Sequence, residues 1–71
     1  MKPLTQRQIA TLRELGAPGY FRVNWRPILS PAAYLDLRER GLIEEHWTWA
    51  SLTRPDVGIT QAGVAAIKES A

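Results

Sequence analysis

The fold turns on residues 37–44, Leu37-Arg38-Glu39-Arg40-Gly41-Leu42-Ile43-Glu44. Upstream, the run Ala32 to Arg40 reads as a helix, with Ser30 as N-cap and Pro31 at its first position. Gly41 suits the left-handed residue that ends such a helix. Leu42 then lies just beyond the helix end and Leu37 within the last turn, the two positions whose side chains meet in a Schellman motif. From Leu42 to Ser51 the pattern changes to strand. Ile43, Glu45, Trp47 and Trp49 share one face, and Glu44, His46 and Thr48 share the other.

Downstream, Thr53-Arg54-Pro55-Asp56 is a turn with Pro at its second position. Val57-Gly58-Ile59 returns as a short strand, so a hairpin is expected. Thr60 caps a closing helix that buries Val64 and Ile67. Gly63 in that helix costs about 1 kcal/mol relative to Ala, which predicts a close approach by a neighbouring element.

Upstream, Thr5 and Gln8 form a capping box, and Leu4 and Ile9 occupy the positions of a hydrophobic staple. Ile9, Leu12 and Leu15 recur on one face, and Gly16 with Pro18 stops the helix, which runs from about Gln6 to Leu15. Ala17-Pro18-Gly19 is a turn. Tyr20 to Trp25 is β-prone, while Pro27 with Ile28 and Leu29 suits a single helical turn. The pattern of residues 17–29 admits either.

The chain has 71 residues, 45% of them hydrophobic, with three Trp, one His and no Cys. That is one domain spanning 1–71, with a thin core and no disulfide. No run reaches the roughly 18 apolar residues of a membrane span. Met1-Lys2-Pro3-Leu4-Thr5 lacks the apolar stretch of a signal peptide, so a cytoplasmic protein with no membrane association is expected. The net charge of +2 is uneven: residues 1–29 carry +4, residues 30–50 carry −2, and residues 51–71 balance. Seven of the nine basic residues are Arg, the side chain suited to phosphate and base contacts.

Two segments carry a family likeness. Leu37 to Glu44 resembles the L-x-x-R-G-L-I-x join between the recognition helix and first wing strand of winged helix-turn-helix proteins. Ile59-Thr60-Gln61-Ala62-Gly63-Val64-Ala65-Ala66-Ile67 resembles the [IL]-T-x-x-G-x-x-x-[IL] segment that leaves the wing and opens the closing helix. Both recur in small MarR-like bacterial and phage proteins. The resemblance implies a mainly α fold with a small β-hairpin (an α+β winged helix) whose second helix is shortened or replaced by residues 17–29. It also implies double-stranded DNA as ligand and a role in transcription regulation. No added helices suggest a large helical dimer interface.

The expected nucleic-acid contacts are Arg22, Arg26 and Ser30 on phosphates, Arg38 at the helix margin and Arg54 on the wing. With Leu37, Ala33 and Tyr34 turned inward, the outward face carries Ala32, Leu35, Asp36 and Glu39, flanked by Pro31 and Arg38. Rotating the helix to bury Leu35 is the other setting. Two carboxylates and an exposed Leu suit a protein contact as well as a base-reading one. The alternative is therefore a winged-helix module that has lost DNA recognition and binds a protein partner, or a second copy weakly, through Leu35, Trp47 and Trp49. Trp47 is also expected to pack on the helices, and Leu52 to lie near the wing loop. His46 has no companion at ligand spacing, so no metal is expected. The Ser and Thr residues read as caps, and Glu44 and Glu45 point to opposite faces. No catalytic group or cofactor is expected, and the chain does not read as an enzyme.

Overall fold

The computed structural model describes residues 3–23, 25–48 and 54–70. Trp49 and Leu52 lie outside the described residues. Six elements follow in order: α1 (Gln6–Glu14), β1 (Phe21–Arg22), α2 (Pro31–Glu39), β2 (Ile43–His46), β3 (Asp56–Ile59) and α3 (Gln61–Ser70). The class is α+β, with a three-stranded antiparallel sheet ordered β1-β3-β2. No described helix is long and apolar enough to cross a membrane.

The helix boundaries follow from local chemistry. The Thr5 hydroxyl accepts from the Gln8 amide at 3.1 Å, and the Gln8 side chain accepts from the Thr5 amide at 2.9 Å, completing the capping box. The Ser30 hydroxyl accepts from the Ala33 amide with Pro31 behind it. At the far end of α2, Leu42 N–H donates to the Leu37 carbonyl and Gly41 N–H to that of Arg38, both at 3.1 Å. Gly41 sits at φ +74°, so both bonds of the Schellman motif are present. The Thr60 hydroxyl accepts from the Gly63 amide and donates to the Gly41 carbonyl, so the cap of α3 also ties it to the end of α2.

The uncertain segment resolves as strand. Phe21 pairs with Gly58 and Arg22 with Val57, so β1 joins the hairpin as a third strand, and 27–29 form no helical turn. Gly58 makes this possible. A Cβ there would stand 2.8 Å from the Tyr20 carbonyl and 3.0 Å from the Phe21 ring. The Phe21 ring reaches across that bare position to stack on His46, with centroids 4.0 Å apart.

The core is Leu12, Leu15, Trp25, Leu37, Leu42, Ile43, Val57 and Ile59. Val64 and Ile67 pack against it half-buried rather than enclosed. Gly63 is explained as expected: an added Cβ would strike the Leu42 carbonyl and stand 2.6 Å from Ile59 Cγ1. Gln8 and Thr11, polar in sequence, are buried. Gln8 spends its amide on the Ala33 carbonyl at 3.1 Å and Asp36 at 3.0 Å, tying α1 to α2.

Two expectations fail. Trp47 is 62% exposed and does not pack on the helices, because β2 ends at His46 and the strand no longer holds Trp47 against them. Asp36 is not an open carboxylate on an outward face. It is half-buried, accepting from Gln8 and, at 3.1 Å, from Arg40.

Candidate nucleic-acid interface

Three stretches meet in an open groove of about 390 Å³: the extended segment before α2, the α2 face that looks toward the sheet, and the β2–β3 pair with the residues that lead into β3. Trp25, Leu29 and Val57 give it an apolar floor, and Pro27, Pro31 and Pro55 stiffen its walls. Arg26 and Arg54, distant in sequence, both line it. Neither makes an ion pair among the described residues. Trp25 explains the placement of Arg26: it is 7% exposed, and its burial fixes the chain on which Arg26 turns outward.

Ser30 stands beside this groove, between Leu29 and Pro31. Its oxygen caps α2, leaving its own O–H to donate at a helix end that carries partial positive charge. Of the other expected contacts, Arg38 is on the same side but engaged. Its Nη1 donates to Glu45 Oε1 at 3.1 Å. Arg22 is not among the groove residues, and its Nη1 donates to the Glu14 carbonyl at the end of α1, 3.0 Å away. The groove therefore brings Arg26 and Arg54 together, has Ser30 and Arg38 beside it, and leaves Arg22 out.

Glu45 and Tyr34 were not singled out by the sequence. Glu45 lines the groove, and its Oε2 accepts from the Tyr34 hydroxyl at 2.5 Å. Burial, then the hydrogen bond to the Glu45 carboxylate and its charge, raise the Tyr34 phenol above its ordinary value; Arg38 opposes this. A signal was present. Alternation placed Glu45 on the inward face with Ile43, and an inward carboxylate needs donors. Tyr34 and Arg38, four residues apart on one helix, are spaced to supply them.

On the open side of α2, Pro31, Ala32, Leu35 and Glu39 are exposed, as in the setting with Ala33 and Tyr34 turned inward. Leu35 is 40% exposed, so the rotated setting does not occur. The opposite face of the sheet carries Glu44, His46 and Asp56, two of its three polar groups acidic. Charge is thus divided between an arginine-lined groove and an acidic outer sheet face.

No family model, curated protein or solved structure matches the chain.

Proposed function

We propose that the chain is a winged helix-turn-helix domain, of the kind found in small bacterial or phage transcription regulators, that binds duplex DNA mainly through its phosphates. The element order and the β1-β3-β2 sheet support this reading. In this reading the extended segment before α2 stands in for the second helix, and β2 and β3 form the wing. The observation that carries the function is the convergence of Arg26 and Arg54 on one groove beside the capped start of α2. Two guanidinium groups without a partner among the described residues, next to a helix N-terminus, suit a phosphate-bearing backbone. Arg22 is dropped from the contact set, since its guanidinium serves α1. In this reading the chain is not an enzyme and needs no metal or cofactor.

The second reading, a protein-interaction module, has its own support. Leu35 at 40% exposure and Trp47 at 62% present apolar surface outside the groove. The two readings separate in one titration. Fluorescence anisotropy against a labelled random duplex, repeated across salt concentrations, gives salt-dependent binding for the first and none for the second.

A further inference from the structure

The two sides of the sheet are complementary in charge. On one side, the groove combines an apolar floor of Trp25, Leu29 and Val57 with Arg26 and Arg54. On the other, Asp56 pairs directly with His46, and Glu44 lies two residues before His46 on the same face. Neither Glu44 nor Asp56 makes an ion pair among the described residues. Trp47 follows just past the end of β2, with 62% of its surface exposed. A phosphate backbone would neutralise the two arginines and leave the apolar floor uncovered. An occupant that satisfies both parts of the groove carries an apolar side chain beside two carboxylates.

We infer that the groove receives the outer sheet face of a second copy of this chain, with Trp47 on the apolar floor and Glu44 and Asp56 paired with Arg26 and Arg54. Charge complementarity selects this occupant and sets its register. Glu45 lines the groove while Glu44 belongs to the outer face, and successive strand residues point to opposite sides. One chain therefore cannot fill its own groove with its own outer face, but a second copy can. The two patches differ, so the contact is head-to-tail. Each docked pair keeps one free groove and one free acidic face, and association continues past two copies. Tryptophan is the commonest kind of interface anchor, and a groove of about 390 Å³ has room for one indole. Both patches are small, which places the contact among weak, transient interfaces. The same groove serves phosphates in the reading above, so a docked copy excludes duplex from it.

The test uses the full chain without DNA, in sedimentation equilibrium at low salt from about 10 µM to about 1 mM, the span over which a weak contact fills. The weight-average mass should rise past twice that of one chain, and added salt should lower it. Arg26→Ala/Arg54→Ala and Glu44→Gln/Asp56→Asn should each stay as single chains. Their equimolar mixture should form pairs and stop there, because it holds one intact groove for each intact face. Thermal melting identifies any variant that fails to fold. Trp47→Ala, which removes an exposed side chain, should weaken association about tenfold and provides the reading if a double variant does not fold. A wild-type mass that levels off at two copies, with both double variants still pairing, would reveal a symmetric dimer through another surface and overturn the inference. A wild type that stays single at about 1 mM, or a mixture that associates no more than its separate components, overturns it as well.

Discussion

The Leu42 amide donates to the Leu37 carbonyl at 3.1 Å across Gly41, and both side chains are buried, Leu37 completely. One residue pair thereby ends α2, turns the chain into β2 and joins the helix to the core. Leu37→Ala should cost about 2–5 kcal/mol, the range for a core leucine. A small domain has about 5 kcal/mol in total, so the variant should be largely unfolded near room temperature. Urea denaturation followed by circular dichroism measures this; a midpoint equal to that of the wild type would show that Leu37 is not a core residue.

Gly63→Ala separates helix propensity from packing. Alanine is the better helix former by about 1 kcal/mol. Against that, its Cβ would strike the Leu42 carbonyl and the Ile59 side chain, and a backbone carbonyl that also accepts from the Thr60 amide has little room to move. Overpacking of this kind costs about 1–3 kcal/mol. The variant is expected to melt lower than the wild type, and a higher melting temperature would mean that α3 stands further from the β2 entry.

Every helix start and the α2 stop were legible in the sequence, because each depends on partners no more than five residues apart. Thr5 with Gln8, Ser30 with Pro31, Leu37 with Gly41 and Leu42, and Thr60 with Gly63 are all of this kind. The third strand was legible only as an option. Two residues of β1 hold little propensity, and what settles them is pairing with Val57 and Gly58, far along the chain. The groove was half legible. Arg26, Ser30 and Arg54 were chosen for their charge or cap, but the Tyr34–Glu45–Arg38 contact depends on how α2 lies on β2. Trp47 shows the same limit in reverse: alternation puts it on the inner face, and the early end of β2 leaves it in solvent.

The Tyr34 phenol gives stability a pH dependence at the alkaline end. Burial and Glu45 raise its folded-state pKa above the unfolded value near 10. The stabilisation is fully present below pH 10. Above that, the unfolded chain releases a proton that the folded chain keeps, so stability falls as pH rises. Denaturation midpoints measured between pH 8 and 11 should decline more steeply for the wild type than for Tyr34→Phe. Parallel curves would mean that Tyr34 is not held by Glu45 in solution.

Glu39 is exposed on the open side of α2, and on the proposed DNA-binding reading its charge opposes the phosphates. Glu39→Gln should strengthen binding to random duplex modestly, about two- to threefold at low salt, by removing one repulsion. Anisotropy titration reads this. Asp36→Gln is not the equivalent experiment, because Asp36 bonds Gln8 and Arg40 and its loss would loosen the helices. Unchanged affinity in Glu39→Gln would place α2 away from the DNA.

The central claim is that Arg26 and Arg54 jointly hold phosphates. The most direct measurement is the slope of log K against log salt for a random duplex, taken for the wild type and for Arg26→Ala/Arg54→Ala. With about three phosphate contacts the wild-type slope should be near −3, and the double variant should flatten it by about two, while Arg22→Ala leaves it unchanged. A slope that the double variant does not alter, or one that Arg22→Ala flattens equally, would contradict the account.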